Sequence, residues 1–230
     1  MRLCVIPARG GSKRIPRKNT RDFCGRPIIA WSIDAAVKSE CFDRIIVSTD
    51  DEDIASVAKQ YGAEIPFMRP AQLADDYTGT TAVIAHAIEW HNSHGEETSK
   101  VCCLYATAPF VQATDLQKGF DILESSEAGY AFSVTSYAFP IQRAIRITGD
   151  QRAEMFQPEH FNTRSQDLEE AWHDAGQFYW GRAAAWLGNK PIFSSDAVPV
   201  LLPRHRVQDI DTPEDWERAE LMFKLLNGSA

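Results

Sequence analysis

The sequence predicts one α/β domain in which a mostly parallel sheet lies between two layers of helices. Short β-branched runs alternate with segments that carry apolar residues at helical spacing, which is the pattern of repeated βα units. The chain has 230 residues and is 44% hydrophobic, enough to bury a substantial core. No internal repeat or low-complexity segment interrupts it. We therefore expect a three-layer α/β/α sandwich with a Rossmann-like sheet, spanning 1–230 as a single domain.

The elements are assigned in chain order from these patterns. Strands are predicted at 3–8, 44–49, 63–68, 101–106 and 130–135. Helices are predicted between them at 27–39, 51–62, 80–94 and 113–126. The alternation fails over 136–175, which we interpret as an inserted excursion. Order returns with "DAGQFYWG", a short helix, an extended stretch and a closing helix in "DTPEDWERAELMFKLL".

Charge and cysteine content exclude several classes of protein. A formal net charge of -8 argues against a general nucleic-acid or membrane-surface binder, since these need broad basic surfaces. The five cysteines are an odd number without C-x-x-C spacing, so we expect reduced, buried thiols. His91 and His94 lack further ligands at zinc spacing. With no apolar leader or membrane-spanning run apparent, we expect a cytoplasmic protein.

Against this acidic background, the segment "VIPARGGSKRIPRKN" (5–19) concentrates positive charge after the first strand. Open α/β folds bind ligands at that end of the sheet. Backbone N–H groups of Gly10, Gly11 and Ser12 can approach phosphate oxygens, and the surrounding cations can neutralise them. The spacing matches neither a Walker A loop nor the dinucleotide fingerprint. The segment predicts a triphosphate site; the alternative is a solvated basic loop.

A pair of carboxylates in "VQDIDTPEDW" suggests a metal site. If this piece is extended, Asp209 and Asp211 point to one face while Ile210 points to the core. Paired hard oxygen ligands suit Mg²⁺, which takes substrate phosphates and water as its other ligands. The alternative is helix capping, but a cap would use Thr212 and Asp215 and leave both aspartates without a structural role.

These motifs carry a family resemblance. "IPARGGSKRIPRKN", "FDRIIVSTDDEDIASVAKQYGAE", "RPAQLADD" and "DIDTPEDW" resemble the CMP-sialic acid synthetase family of nucleotidyltransferases, over nearly the whole chain. "TRSQDLEEAWHDAGQFYWG" is similar to the matching segment of its pseudaminic acid cytidylyltransferases. The resemblance implies that a sugar-acid hydroxyl attacks the α-phosphate of CTP with help from Mg²⁺, and it implies a homodimer.

The resemblance also assigns site residues. Expected nucleotide contacts are Ala8, Arg9, Gly10, Gly11, Ser12, Lys18, Asn19, Arg69 and Thr80, with Asp76 as a possible helper. Expected catalytic residues are Arg9, Lys18, Asp209 and Asp211, of which the two aspartates hold the metal. The family's usual Gln after the fourth strand is replaced here by Tyr105 in "YATAPF", which favours a substrate other than common sialic acid.

The excursion and the segment after it are expected to recognise the sugar acid. An Arg fork binds a carboxylate well, so Arg143 and Arg164 are candidates for the substrate anion. Gln166, His173, Gln177 and Tyr179 are candidates for the rest of the sugar, together with Tyr105. Phe178 and Trp180 are expected to face the core. No residue is identified as the general base.

Two alternatives remain open at this point. The sugar acid could be N-acetylneuraminate, legionaminate or, more remotely, the eight-carbon Kdo. In a different class, the chain could be a nucleotide-binding regulatory protein without turnover, although mere binding would not need a catalytic metal pair.

Overall fold

A computed structural model describes residues 1–75 and 78–228. They form a six-stranded sheet and two small hairpins. In chain order the strands are β1 (Arg2–Pro7), β2 (Asp22–Phe23), β3 (Arg26–Pro27), β4 (Arg44–Ser48), β5 (Lys100–Leu104), β6 (Tyr130–Ser136), β7 (Ile145–Ile147), β8 (Ala153–Met155), β9 (Trp172–Arg182) and β10 (Ala197–Leu201). The helices are α1 (Ile28–Ser39), α2 (Glu52–Gln60), α3 (Thr80–Ser93), α4 (Ala113–Ser125), α5 (Ala183–Leu187) and α6 (Pro213–Leu226).

The strand order of the main sheet is β10-β6-β9-β5-β1-β4. Only β9 runs antiparallel to its neighbours β5 and β6; the other pairings are parallel. The chain passes from β1 to β4 on one side and later to β5 on the other, so β1 lies at a switch point. Ligands bind at such points, outside the carboxyl ends of the strands.

Alternating side chains of β1 show how the three layers are held. Cys4 and Ile6 are fully buried against α1, α2 and α4, whereas Leu3 and Val5 are fully buried against α3 and α5. Successive side chains of a strand point to opposite faces, so a continuous apolar run is expected where both faces are covered. The predicted three-layer sandwich with a mostly parallel sheet is confirmed.

The closing helix α6 packs outside these layers, over the basic segment. Trp216, Ala219 and Phe223 bury their side chains against Ile15, Phe23 and Ile28. The rings of Phe23 and Trp216 meet edge to face, with centroids 5.4 Å apart. This cluster joins the C-terminal helix to the segment after β1 and so brings two distant motifs together.

The predicted strand at 63–68 is wrong. Glu64 makes a single parallel bridge with Ile46, and no strand follows. Pro66 has no N–H to donate, which explains why pairing does not continue. The other predicted strands and helices are present, with boundaries shifted by a few residues.

Between β6 and β9 the predicted excursion has little regular structure. It carries the β7–β8 hairpin and three short 3₁₀ turns at Ile141–Arg143, Pro158–His160 and Ser165–Asp167. Its apolar side chains are largely exposed: Phe139 is 82% and Phe161 72% accessible. All five cysteines are free thiols. None of the helices in the described residues is both long and apolar enough to cross a membrane.

Candidate active site

A cavity of about 550 Å³ lies at the carboxyl ends of β1 and β5, where the switch point places a ligand. Its wall contains five cationic and two acidic side chains, so it suits a polyanion. The lining residues are Pro7, Arg9, Ser12, Lys13, Arg14, Lys18, Asn19, Arg69, Leu73, Asp75, Thr78, Thr80, Val83, Tyr105, Ala106, Thr107 and Asp211.

The segment after β1 is held in shape by backbone contacts. The Asn19 side chain is buried and donates to the Arg9 carbonyl oxygen at 3.0 Å. The Gly10 N–H donates to Asp50 at 3.0 Å. A Cβ on Gly10 would lie 2.6 Å from Oδ2 of Asp51, whereas Gly11 faces open space. The segment therefore needs a glycine at position 10 for close packing, and the Gly10 N–H already has a partner.

The cations of the segment divide into two groups. Lys18 Nζ donates to the Ile210 carbonyl oxygen at 2.7 Å and lies 3.4 Å from Asp211. Arg14 pairs with the same carboxylate at 2.9 Å. Arg17 instead adopts a left-handed conformation (φ 55°) and pairs with Asp53 at 2.5 Å. The charges of Lys18 and Arg14 thus face the cavity, and that of Arg17 lies outside its wall.

Arg69 and Thr80, both predicted nucleotide contacts, line the same cavity. Arg69 is only 7% exposed, and its Nε donates to the Ser48 hydroxyl at 3.1 Å. Burial lowers the pKa of this guanidinium. Ala8 is buried after β1, and its N–H donates to the Ser48 carbonyl oxygen. Asp76 lies outside the described residues.

The two predicted metal ligands differ in position. Asp211 lines the cavity, whereas Asp209 does not. Burial, followed by the nearby charge of Asp211, raises the pKa of Asp209. Ile210 between them is 1% exposed and faces the core, as predicted. Thr212 and Asp215 form the capping box of α6, so capping leaves both aspartate side chains unused.

This donor set fits a hard divalent cation only in part. The described residues contain no cluster of three or more His, Cys, Asp or Glu side chains that could hold a metal alone. Asp211 in a cation-lined wall, with Asp209 two residues before it, suits Mg²⁺, which binds through one or two carboxylates, water and substrate phosphates. The residues therefore fit a metal that arrives with the nucleotide.

The predicted sugar contacts are spread over three places. Tyr105 lines the cavity, and Thr107 of the same segment lines it too. Gln177 and Tyr179 are 2% and 4% exposed; the Gln177 amide donates to the Arg206 carbonyl oxygen at 2.6 Å. Arg143, Arg164 and Gln166 lie on the surface of the excursion, where Arg164 pairs with Asp167 at 2.7 Å. None of these three lines the cavity, and their roles stay predictions.

His173 lines a second cavity, of about 630 Å³. Its wall consists mainly of apolar side chains, including Phe132, Trp172 and Phe193, with Asp174 as its one carboxylate. The sequence analysis missed Asp174 and Asp50. Asp174 lies near the start of β9, and Asp50 lies shortly after the end of β4. Acidic residues are too common at such places for either to be singled out from the sequence.

A mostly parallel sheet between helices, with a cation-lined cavity at its switch point, is typical of enzymes that bind nucleotides. Residues 3–203 match the family model described as cytidylyltransferase. The chain belongs to the cytidylyltransferase family and is a nucleotidyltransferase.

Relatives support this assignment over the full length. The chain is 46% identical to the pseudaminic acid cytidylyltransferase of Campylobacter jejuni (strain 81-176), covering 99% of this chain and 98% of that protein. It is 34% identical to the CMP-N,N'-diacetyllegionaminic acid synthase of Legionella pneumophila, covering 97% and 96%. Its fold matches CMP:2-keto-3-deoxy-manno-octonic acid synthetase complexed with CTP, at TM-score 0.71 and 17% identity, covering 98% and 99%.

Proposed function

We propose that this enzyme couples CTP to the anomeric hydroxyl of pseudaminic acid and releases CMP-pseudaminic acid and pyrophosphate. The assignment of the substrate rests on the 46% identity to a pseudaminic acid cytidylyltransferase over 99% of the chain. The 34% identity to a legionaminic acid enzyme makes CMP-legionaminate synthesis the second candidate. We place the reaction in the cytoplasm, where CTP is available.

The cavity supplies charge neutralisation for the triphosphate. Arg9, Lys13, Arg14 and Lys18 surround the space next to Ser12. When the sugar hydroxyl attacks the α-phosphorus, the bond to the bridging oxygen breaks and pyrophosphate leaves with additional negative charge. Fixed cations stabilise that charge without reorganising solvent, and this lowers the barrier. Arg69 and Thr80, deeper in the same wall, are assigned to the nucleoside.

Asp209 and Asp211 are assigned to Mg²⁺. Bound with CTP, the ion would neutralise phosphate oxygens and orient them. In the structure, Asp211 is paired with Arg14 and Lys18. We propose that these cations turn to the phosphates when the nucleotide binds, because both partners of each ion pair then gain a more highly charged neighbour.

We also propose that the enzyme is a homodimer whose excursion reaches the partner's site. Phe139, Ile145, Ile147, Phe156 and Phe161 are 56% to 82% exposed in the single chain. Exposed apolar side chains grouped on one excursion are typical of a protein interface. Such contact would bring Arg143, Arg164 and Gln166 toward a cavity that lacks them in one subunit.

Pyrophosphate release tests this function. The enzyme would be incubated with CTP, Mg²⁺ and, separately, pseudaminate, legionaminate, N-acetylneuraminate and Kdo. We expect kcat/KM for pseudaminate to exceed that for N-acetylneuraminate by at least about a hundredfold, because mismatched buried polar groups are costly. A preference for another acid would overturn the substrate while leaving the cytidylyltransferase activity in place.

A further inference from the structure

The two proposed metal ligands lie on a segment without regular structure. Residues 207–211 belong to neither a helix nor a strand and lead from the 3₁₀ turn Arg204–Arg206 toward α6. A pair of carboxylates binds a cation more tightly when other contacts hold it in place, because the ion then need not order the chain. We call residues 206–211 the acidic segment and ask which contacts hold each of its ends.

The end of the acidic segment nearest α6 is fixed by that helix and by Lys18. Ile210 is buried in the core, and its carbonyl oxygen accepts from Lys18 Nζ at 2.7 Å. The Asp211 N–H donates to Asp215 at 3.2 Å. All of these contacts follow Asp209 in the chain, so the placement of Asp209 also depends on contacts before it.

The other end is held through the side chain of Arg206. Its guanidinium forms a fork with both oxygens of Asp115, from Nη1 to Oδ2 at 2.5 Å and from Nη2 to Oδ1 at 3.0 Å. The two side chains are largely buried, at 15% and 9% exposed. Asp115 also accepts from the Gln112 N–H at 2.9 Å, in the capping box of α4. The fork therefore ties the acidic segment to the first turn of a helix that packs into the core.

The main chain of Arg206 has a second anchor in the interior of the sheet. Gln177 on β9 donates its amide Nε2 to the Arg206 carbonyl oxygen at 2.6 Å. The residue is almost completely buried, and its Oε1 has no hydrogen-bond partner among the described residues. Burying an unpaired amide oxygen costs free energy of folding, which an apolar side chain would avoid. Stability alone does not explain a glutamine here, whereas its hold on Arg206 does.

We propose that Asp115, Arg206 and Gln177 are positioning residues that hold the acidic segment in place for a divalent cation bound with CTP. None of the three lines either cavity of the described chain, so they act through Asp209 and Asp211 rather than by touching the ligand. The inference rests on the proposed function and deepens it, because it adds the contacts that place the assigned metal ligands. It also gives Gln177 a role other than the predicted sugar contact.

Binding of CTP without a sugar acid, measured by calorimetry with Mg²⁺ and then with EDTA, tests this role without turnover. Gln177→Met removes the donor at nearly constant side-chain length, and removal of the unpaired oxygen offsets the lost bond to Arg206. We expect the Kd for CTP with Mg²⁺ to rise about tenfold, since contacts that orient metal ligands have effects of this size. The Kd in EDTA should change less than about twofold, and the Tm should stay close to that of wild type. Wild-type Kd values with a raised KM for the sugar acid would make Gln177 a sugar contact and overturn its positioning role.

Arg206→Lys keeps the positive charge but cannot form the planar fork. We expect the same rise of about tenfold in the Kd with Mg²⁺, again with little change in EDTA. Arg182→Lys is the matched control, because Arg182 donates to the carbonyl oxygens of Ser126 and Ala128 at 2.7 and 3.0 Å, beyond the opposite end of α4. It should lower the Tm and leave both Kd values unchanged. An equal rise of both Kd values in Arg206→Lys would indicate a general loss of structure and overturn the proposal.

Combination with the aspartates shows whether the positioning residues act through them. In an Asp209→Asn, Asp211→Asn double variant, Arg206→Lys should change the Kd with Mg²⁺ by less than about twofold, because no ligands remain to be placed. A tenfold effect in that background would contradict the proposal. If Arg206→Lys does not fold, Gln177→Met in the same background decides. Wild-type enzyme that binds CTP equally with Mg²⁺ and EDTA would overturn the metal assignment and this proposal with it. None of these titrations contains a sugar acid, so an error in the proposed substrate would appear only in the kinetics.

Discussion

Among the single residues of the site, Asp211 interacts with several charged groups. Its carboxylate faces Arg14 and Lys18, its own charge raises the pKa of Asp209, and its backbone N–H donates to Asp215 at 3.2 Å. Its side chain is 37% exposed, so these ion pairs stabilise the fold by only about 0–1 kcal/mol. The arrangement favours substrate binding over stability as the reason for placing these charges together.

Neutralising the aspartates should therefore separate activity from stability. We expect Asp209→Asn and Asp211→Asn each to cut kcat by at least about a hundredfold, since either loses a proposed metal ligand. Because the pKa of Asp209 is raised in the folded state, keeping this carboxyl ionised at neutral pH lowers the free energy of unfolding. The Tm of Asp209→Asn at pH 7 should thus equal or exceed that of wild type, and that of Asp211→Asn should fall only slightly. Steady-state kinetics and thermal melts check both; full activity in either variant would contradict the metal assignment.

The cationic segment offers a matched pair of arginines. Arg9 lines the cavity, whereas Arg17 pairs with Asp53 outside it. A charge-assisted contact to phosphate contributes about 1.5–3 kcal/mol, so Arg9→Ala should raise KM for CTP roughly 10- to 150-fold. Arg17→Ala should change it less than about threefold. Equal, small effects in both variants, measured at fixed ionic strength, would mean that the cluster only attracts anions.

The contrast between Arg9 and Arg17 also shows what the sequence could predict about single residues. Clustered positive charge in an acidic chain indicated an anion site, and the structure lines a cavity with most of the predicted cations. Pattern alone did not separate Arg17 from Arg14, because the difference depends on a left-handed turn at Arg17 and a carboxylate 36 positions away. Asp174 was missed for the same reason, since its partner Tyr179 is defined by a bulge in β9.

At the scale of elements, the loop after β1 and helix α2 depend on each other. Asp51 caps α2 by accepting from the N–H groups of Asp53 and Ile54. A methyl group on Gly10 would lie 3.0 Å from the Asp51 Cβ, which cannot move without loosening that cap. Gly10 also fixes the loop after β1, because its N–H donates to Asp50 at 3.0 Å.

Gly10→Ala should accordingly affect both stability and nucleotide binding. Loss of the cap costs about 1 kcal/mol, so the Tm should fall, and KM for CTP should rise because the loop shifts. Gly11→Ala, which adds its methyl group to open space, should lower the Tm much less. Thermal melts of the two variants, side by side, check the difference; equal loss in both would show that the tight contact at Gly10 is not what requires the glycine.

Helices and strands were predictable where periodicity alone determines them. The amphipathic pattern of α1 to α4 and the apolar runs of β1, β4, β5 and β6 are local signals. The segment at 63–68 has a strand-like composition, yet Pro66 and the edge position leave it with one bridge. The antiparallel direction of β9 was not predictable, because it follows from the excursion that returns the chain between β5 and β6.

In the whole molecule, the excursion at 136–175 lies apart from the cavity that its residues are predicted to serve. It holds polar residues predicted to bind the sugar acid, and none of Arg143, Arg164 and Gln166 lines either cavity of the described chain. Its exposed apolar side chains include Phe156 and Phe161. Sequence patterns did not predict where these residues would lie, because the excursion has little regular structure and so no local periodicity.

Subunit mixing tests whether the excursion acts on the partner's cavity. Asp211→Asn disables the nucleotide side of a site and Arg164→Ala its sugar side, so each homodimer should be nearly inactive. If sites are shared, a heterodimer combines both lesions in one site and leaves the other intact. Random exchange makes half of the dimers mixed, and the mixture should recover about a quarter of wild-type activity. The measurement is pyrophosphate release after co-refolding, with light scattering to establish the dimer. Recovery no greater than the sum of the separate variants would place Arg164 in its own subunit's site or outside any site.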